Sequence, residues 1–361
     1  MIKAVVVTVF MCLSVVATQN IVCYYDNRAA SYSTPTFPGN LSVTNCTHYV
    51  YDGVGVTAQG EIRILSSYDT ASGFEDFQKL RQNGDIKLYV LLTSDRDGGK
   101  NLTNAIASRS EKLVNNIAIF VEQYNFHGVE IDRRTIDFDK NALARFVNRL
   151  RSRLYMINKQ LAVSVSAQFT DAYDITSLSL YADMINFHAY SFTSPLANTV
   201  ADLAPLYSTT AGVDSVNSTL ASWLAAGVRK NKLNLVVVPY ARTYVLVNES
   251  QRTVGSRSAG PGPAGPNTKR AGFLARYEFC SVLNDYTVVS GSVAGTTYYY
   301  KGKNWVSIET EDTLGSKFIY AIDNGLAGVA IYSLDSDDVN DACGTGAYRI
   351  AKLANEYLSN P

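Results

Sequence analysis

Residues 126–134 read FHGVEIDRR, and this stretch predicts a short buried strand. In it, β-branched apolar residues alternate with Glu130, Asp132 and Arg134. Because successive side chains of a strand point to opposite faces, these three polar side chains lie on the same side. Two acids and an arginine on one face of an apolar strand are costly unless they pair or line a polar cavity. The stretch therefore indicates either an internal ion-pair ladder, with Arg134 holding Asp132, or an active site or its remains.

Seven further short apolar runs surround this strand, and amphipathic helical patterns separate several of them. This alternation is typical of buried parallel strands joined by crossover helices. Eight such strands predict an α/β fold, a (β/α)8 TIM barrel, with Arg134 at the mouth and Asp132 and Glu130 progressively deeper. A doubly wound open sheet is the alternative, but no glycine-rich nucleotide loop follows the first strand. The predicted strands are 21–25, 48–56, 87–93, 128–132, 161–167, 184–190, 233–240 and 327–334, and the predicted helices are 104–124, 141–157, 218–226 and a last one that holds residues 350–357.

One segment interrupts the alternation between the seventh and eighth strands. Residues 243–314 are rich in glycine, proline and serine, including GPGPAGP at 260–266, and contain strand-like runs such as 296–300. A disordered linker is the alternative, but the aromatic content of the segment argues against it. We therefore predict a small α+β insertion domain at 243–314 that forms one wall of a cleft, and a barrel made of residues 20–242 and 315–361.

The composition is that of a globular protein, with 47% hydrophobic and 18% charged residues among 361. The number of lysines and arginines equals the number of aspartates and glutamates. The net charge therefore gives no reason to expect nucleic acid or an anionic membrane as a partner. Near the start, Lys3 precedes the apolar run 4–16, which fits a signal peptide and is too short to span a bilayer. We predict a signal peptide at 1–19 and a secreted, extracellular monomer without a membrane span.

Four cysteines follow the predicted signal peptide, namely Cys23, Cys46, Cys280 and Cys343. In an oxidising compartment they indicate two disulfides, and three pairings are open. Their spacings are too wide and the histidines too few for a zinc site, and we predict neither a metal nor a cofactor. Five Asn-x-Ser/Thr sequons in a secreted chain predict glycosylation, and they begin at Asn40, Asn45, Asn101, Asn217 and Asn248.

Separated motifs along the chain resemble those of one family, in the same order. They are 21–25 (IVCYY), 46–48 (CTH), 236–242 (VVVPYAR), 262–280 with its AGF and YEFC, 305–306 (WV), 328–330 (GVA) and 335–344, from DSDD to CG. Over nearly its whole mature length the chain resembles glycoside hydrolase family 18, the animal chitinase and chitinase-like group. The resemblance implies the disulfide pairing Cys23–Cys46 and Cys280–Cys343.

The family's signature on its fourth strand reads Asp-Gly-x-Asp-x-Asp-x-Glu. Its positions fall here on His127, Gly128, Glu130, Asp132 and Arg134. In the family, the last glutamate is the general acid of a substrate-assisted hydrolysis, in which the sugar's own N-acetyl oxygen attacks. Arginine does not give up its proton at biological pH, and without general acid catalysis the rate of hydrolysis falls by about 10²–10⁴-fold. We therefore predict a degraded motif without a catalytic residue, in a chain that is not an enzyme.

The rest of the implied pocket keeps some family residues and loses others. Tyr24, Tyr190, Tyr240 and Arg242 match the family, whereas Ser191 stands where the family has an aspartate. The tryptophans of strands one and eight are replaced by an arginine and a tyrosine. The tyrosine on strand eight either stacks on a sugar face or simply fills the barrel mouth with the other aromatic residues. The predicted ligand-binding residues are Tyr24, Arg28, Asp132, Arg134, Tyr190, Ser191, Tyr240, Arg242 and Tyr332, of which Arg28 and Tyr332 take the tryptophan positions.

The resemblance and the altered motif together predict a secreted chitinase-like protein, similar to the imaginal-disc-growth-factor-like and chitinase-like lectin group. It would bind chitin-like oligosaccharides as a lectin, or act as a growth or immune factor on a cell-surface protein. The alternatives are a glycosidase that uses a non-standard acid on a different N-acetylated or anionic glycan, and a plugged barrel that binds protein. Arg28 and Arg134 would favour an anionic glycan. A metal site at His127 and His188 is the weaker interpretation, because His127 precedes the strand.

Overall fold

The computed structural model describes residues 19–44, 46–94, 99–135, 137–208, 212–291 and 294–359. The predicted signal peptide, apart from its last residue, and the predicted glycosylation site Asn45 lie outside these residues. The strands are β1 (Asn20–Asp26), β2 (His48–Val56), β3 (Ile62–Arg63), β4 (Lys87–Leu92), β5 (Gly128–Arg133), β6 (Gln160–Ser166), β7 (Met184–His188), β8 (Leu233–Val237), β9 (Ala241–Leu246), β10 (Ser258–Pro261), β11 (Phe273–Leu274), β12 (Thr287–Gly291), β13 (Thr296–Lys301), β14 (Asn304–Ser307) and β15 (Gly328–Ile331).

Eight of these strands close into a parallel barrel, which confirms the predicted fold class. Around the barrel the order is β1, β2, β4, β5, β6, β7, β8 and β15, and β15 pairs again with β1. Helices lie between successive strands on the outside, as the alternation of the sequence predicts. The α-helices of the described chain are α1 (Phe74–Gln78), α2 (Lys100–Ser108), α3 (Ser110–Gln123), α4 (Lys140–Met156), α5 (Ile175–Tyr181), α6 (Val216–Ala225), α7 (Arg276–Cys280), α8 (Glu311–Asp323) and α9 (Arg349–Leu358).

The period of two along each barrel strand separates two apolar layers. Val129 and Ile131 of β5 face outward, into the large cluster between the strands and the helices. The inward positions form a smaller cluster inside the barrel, which includes Val22, Tyr24 and Val236. Glu130 and Asp132 of β5 alternate with these residues and point into the barrel interior, where other strands must supply their partners, whereas Arg133 faces outward and donates to Thr103 of α2 at 3.1 Å.

A second, antiparallel sheet is built from the segment between β8 and α8. Its strand order is β10, β9, β14, β13 and β12, and the short β11 also pairs with β9, at Ala241 and Arg242. The division of the chain into domains at 243 and 314 stays a prediction. Disulfides join Cys23 to Cys46 and Cys280 to Cys343, the pairing that the resemblance implied.

Element boundaries differ from the sequence predictions where a local residue interrupts the pattern. The predicted helix at 104–124 is two helices, because Arg109 leaves helical geometry with φ −135° and caps both α2 and α3. Strand β8 ends at Val237 rather than residue 240, and Pro239, which has no N–H to donate, follows it.

No helix in the described ranges has the length and apolar character of a membrane span.

Candidate functional site at the barrel mouth

The polar residues of β5 are ordered by depth in the barrel. The Glu130 and Asp132 side chains are fully buried, and the Arg134 side chain, just after the strand, is 16% exposed. Gly128 has a packing role at the other end of β5, since a Cβ there would lie 2.5 Å from the carbonyl oxygen of Gln160. Of the motif, Glu130, Asp132 and Arg134 therefore lie on the path to the carboxyl ends of the strands.

Asp132 is held as a carboxylate by Arg134 and Ser94. Arg134 donates through Nε to Oδ1 at 2.9 Å and through Nη2 to Oδ2 at 2.8 Å, and its backbone N–H donates to Oδ1 at 3.1 Å. Ser94 donates to Oδ2 through its backbone N–H at 3.2 Å and its hydroxyl at 2.8 Å. Burial alone would raise the pKa of Asp132, but these donors outweigh it and the pKa lies well below its ordinary value.

Glu130 is held by a different set of groups, deeper in the barrel. The Tyr24 hydroxyl donates to Glu130 Oε1 at 2.6 Å, and the Ser164 hydroxyl donates to the same atom. Asn186 donates to the Tyr24 hydroxyl at 2.6 Å and accepts from Asn234 at 2.9 Å. Burial raises the pKa of Glu130, so its neutral form is favoured more than in water. Tyr24, predicted as a ligand contact, is thus engaged with Glu130 beneath the mouth.

The two histidines of the rejected metal set lie apart. His188 is within 2.9 Å of the Ser164 hydroxyl through Nε2 and within 2.8 Å of the Tyr190 hydroxyl through Nδ1. Burial lowers the pKa of His188, so the ring is neutral and offers one donor and one acceptor to these hydroxyls. His127 lies at the amino end of β5, where its Nδ1 accepts from the Leu88 N–H at 2.8 Å. In the described ranges, no group of three histidine, cysteine or acidic residues has the geometry of a metal site.

Aromatic rings border the mouth. The Tyr332 ring contacts the Tyr24 ring edge-on, with centroids 5.1 Å apart, and its hydroxyl donates to Asp52 at 2.9 Å. The Arg134 guanidinium lies 4.8 Å from the centroid of the Tyr332 ring. That cation therefore covers part of one face of the ring for which the sequence analysis left two roles open, stacking on a sugar and filling the barrel mouth.

Arg242 and Ser191 face each other across the mouth. Arg242 Nη2 donates to the Ser191 hydroxyl at 2.8 Å, and that hydroxyl is 3.5 Å from the Tyr240 hydroxyl. The Tyr240 ring packs on Phe273, with centroids 4.6 Å apart. The mouth therefore combines aromatic faces with polar donors.

Arg28 is paired with Asp26 at the end of β1. Its backbone N–H and Nε donate to Asp26 Oδ1, both at 2.9 Å, and its Nη2 forms an ion pair with Oδ2. The Asp26 N–H donates to Asp335 Oδ1 at 3.0 Å. Burial and then the charge of Asp26 raise the pKa of Asp335 to about 7. A buried acid whose pKa is raised toward neutrality thus lies beside the Arg28 pair.

These side chains enclose one cavity of about 210 Å³, which we call the mouth cavity. Sequence reasoning missed Asp26, Asp335 and Arg270 in it. Asp335 and Arg270 lie outside regular strands, where no periodicity indicates which way a side chain points. Asp26 could have been found, because it has the same two-residue spacing from Arg28 as Asp132 has from Arg134. The mouth cavity is lined by Asp26, Arg28, Arg134, Tyr190, Ser191, Tyr240, Arg242, Arg270, Phe273, Tyr332, Ser333, Asp335 and Ser336.

The predicted glycosylation sites lie away from this cavity. Asn40, Asn217 and Asn248 are exposed, and Asn101 is half-buried near the start of α2. A further cavity of about 520 Å³ lies against the antiparallel sheet, and none of the predicted ligand-binding residues lines it.

Comparisons with known proteins agree with the barrel. Residues 20–337 match the family described as glycosyl hydrolases family 18. The probable chitinase 10 of Drosophila melanogaster is 28% identical over 94% of this chain, which spans only 16% of that relative's length. The Group IV chitinase of Ostrinia furnacalis has a TM-score of 0.90 and 26% identity, with 95% of this chain and 100% of that chain covered. A mutant of catalytic domain 2 of the Ostrinia furnacalis Group II chitinase, in complex with penta-N-acetylchitooctaose, has a TM-score of 0.90 and 25% identity, with 95% and 97% covered.

These comparisons contradict one prediction from the sequence. The chain was predicted not to be an enzyme, on the ground that Arg134 occupies the general-acid position. The similar proteins named above are chitinases, so one altered position does not justify that conclusion about the whole protein. What stands is the chemistry of the side chain: a guanidinium holds its proton, so any hydrolysis in this barrel must take its proton from another group.

Proposed function

The chain belongs to glycosyl hydrolase family 18, and we propose that its mouth cavity binds N-acetylated oligosaccharides of the chitin type. The observation that carries the proposal is the composition of the cavity, in which Tyr190, Tyr240 and Tyr332 border the same space as the donors Arg242 and Ser191. Aromatic faces pack on the apolar face of a sugar ring, while donors orient its hydroxyl and amide oxygens. The chitinase solved with penta-N-acetylchitooctaose supports this ligand class.

The size of the cavity limits what it encloses. Its 210 Å³ is below the roughly 300–1,000 Å³ of typical small-molecule sites, so a small part of an oligosaccharide would be enclosed and the rest would lie across the open mouth. Stacking of a ring on Tyr332 requires the Arg134 guanidinium to leave that face or to share it with the sugar. We therefore expect binding to be weaker than in a mouth whose aromatic floor is uncovered.

We further propose that the protein acts outside the cell. The apolar run 4–16 fits a signal peptide, and two disulfides are typical of proteins from oxidising compartments. A carbohydrate-binding role there is compatible with an additional protein partner at the cell surface.

The test is calorimetric titration of the purified protein with chitotetraose. We expect saturable binding that Tyr332→Ala weakens by about tenfold, since an aromatic contact is worth on the order of 1 kcal/mol beyond its buried area. Tyr155→Ala is the matched control, because Tyr155 is 74% exposed on α4, outside the mouth cavity.

Two results would contradict the proposal. The first is the absence of binding to the intact protein. It would indicate that Arg134 closes the mouth over Tyr332, and protein partners would then be sought instead. The second is an equal effect of the Tyr332 and Tyr155 variants. The same mixtures are also analysed by mass spectrometry for shortened oligosaccharides, which would show hydrolysis. If such products form, the Asp335→Asn variant tests whether Asp335, whose pKa is raised to about 7, donates the proton for that hydrolysis.

A further inference from the structure

Positive side chains outnumber negative ones around the mouth cavity. Four arginines line it, against two aspartates, Asp26 and Asp335. Burial raises the pKa of Asp335 to about 7, so near neutral pH this carboxyl carries only part of a negative charge. Ligands with a negative charge therefore meet a favourable field on entering the cavity. The arginines are Arg28, Arg134, Arg242 and Arg270.

Two of the four arginines are neutralised by the protein itself. Arg28 is paired with Asp26, and Arg134 with Asp132. Their charges are therefore largely compensated, and they make the cavity polar without leaving a strong unpaired charge.

The other two arginines have no carboxylate partner among the described residues. Arg242 donates to the hydroxyl of Ser191, and its buried Nε has no acceptor within the described chain. Arg270 is exposed, and its guanidinium lies 4.1 Å from the centroid of the Phe273 ring. A buried donor without an acceptor is unfavourable, and an oxygen-rich anion is the kind of group that satisfies a guanidinium.

We propose that the mouth cavity prefers N-acetylated oligosaccharides that carry a carboxylate or sulfate group over their neutral counterparts. Arg242 and Arg270 are the positioning groups for that anion, because a guanidinium presents two parallel N–H donors to carboxylate and sulfate oxygens. The inference rests on the proposed function, since it concerns the ligand class of the same cavity. It adds a charge requirement that a neutral chitin chain does not meet.

The test compares three probes by calorimetry: chitotetraose, the same tetramer sulfated at its 6-hydroxyls, and a hyaluronan tetrasaccharide, in which N-acetylglucosamine alternates with a uronic acid. We expect at least one anionic probe to bind about tenfold more tightly than chitotetraose in about 0.05 M salt. The advantage should shrink in about 0.5 M salt, because the Debye length falls to a few ångströms and Arg270 is exposed. The two anionic probes separate sulfate from carboxylate as the preferred group.

Variants assign the preference to the arginines. Arg270→Gln should remove most of the anionic advantage, and Arg242→Gln should reduce it further if the variant folds. Arg145→Gln, exposed on α4, is the matched loss of one positive charge and should leave the preference intact.

Three results overturn the inference. If chitotetraose binds as tightly as both anionic probes, the charge preference is absent while the proposed function stands. If the Arg270 and Arg145 variants behave alike, the preference is a general effect of charge rather than of this cavity. If no probe binds, the inference falls together with the proposed function.

Discussion

Two Asp-x-Arg pairs stand at the carboxyl ends of barrel strands, Asp26–Arg28 after β1 and Asp132–Arg134 after β5. In each, the arginine backbone N–H donates to Oδ1 of the aspartate, at 2.9 and 3.1 Å, and Nε donates to the same oxygen at 2.9 Å. The same local geometry thus follows from the same spacing, because an aspartate side chain can accept from the backbone N–H two residues on; after β1 this bond caps a short 3₁₀ helix, Asn27–Ser31.

The surroundings of the two pairs differ. Asp132 has additional donors in the backbone and hydroxyl of Ser94. Asp26 instead lies against a second acid, because its N–H donates to Asp335. The arginine side chains are 16% exposed in the β5 pair and 32% exposed in the β1 pair. One pair is therefore a buried, multiply bonded charge, and the other is a rim charge linked to the protonation of a neighbouring carboxyl.

The largest expected effect is that of Arg134→Ala on stability. The variant leaves the Asp132 carboxylate buried without its main partner, and we expect a loss on the order of 3 kcal/mol in the free energy of unfolding at pH 7. The pKa of Asp132 is depressed in the folded protein, so its stabilising charge is present above the unfolded pKa of about 3.9 and is lost as the pH falls. In the variant, the buried Asp132 can take up a proton near pH 3, so the loss should be smaller there than at pH 7, as measured by urea denaturation.

The double variant Arg134→Ala, Asp132→Asn is the control for this prediction. If the cost arises from an unpaired charge, replacing the carboxylate by an amide should recover part of the lost stability. An equal loss at pH 3 and pH 7, with no recovery in the double variant, would show that packing of the arginine, not its charge, is what matters.

A smaller effect is expected from Asp335, through the pH dependence of stability. Its pKa of about 7 in the folded protein lies above the unfolded value of about 3.9, so the folded state binds more protons between these values. The free energy of unfolding should therefore fall as the pH rises through this window, by at most about 1.4 kcal/mol per pH unit from this group. Asp335→Asn should flatten that part of the profile. An unchanged slope in the variant would assign the dependence to another group.

The sequence was sufficient to predict the barrel and the direction of the β5 side chains. Few architectures are compatible with eight apolar runs separated by helices. Because side chains alternate along a strand, Glu130 and Asp132 point into the barrel when Val129 and Ile131 face the helices. His127 shows the limit of reading adjacent residues as one site, because the start of a strand lies at the opposite end of the barrel from the mouth.

The rim could not be predicted in the same way. Asp335 and Arg270 reach the mouth cavity from segments outside regular strands, and the second of these belongs to the stretch between β10 and β11. Irregular backbone has no period that tells where a side chain points. The predicted contact set therefore contained the β5 pair but missed three of the charged groups that set the balance of charge in the mouth cavity, namely Asp26, Asp335 and Arg270.

The smallest stability effect is expected from Arg28→Ala, and it is the sharpest test of the comparison. An ion pair whose arginine is partly exposed contributes on the order of 1 kcal/mol or less. Without Arg28, the Asp26 carboxylate faces Asp335 uncompensated, so the cost should be greater near pH 8, where both acids are charged, than near pH 5, where Asp335 holds its proton. If the cost of Arg28→Ala is the same at pH 5 and pH 8, the rim pair is not linked to Asp335 and the two pairs differ only in burial.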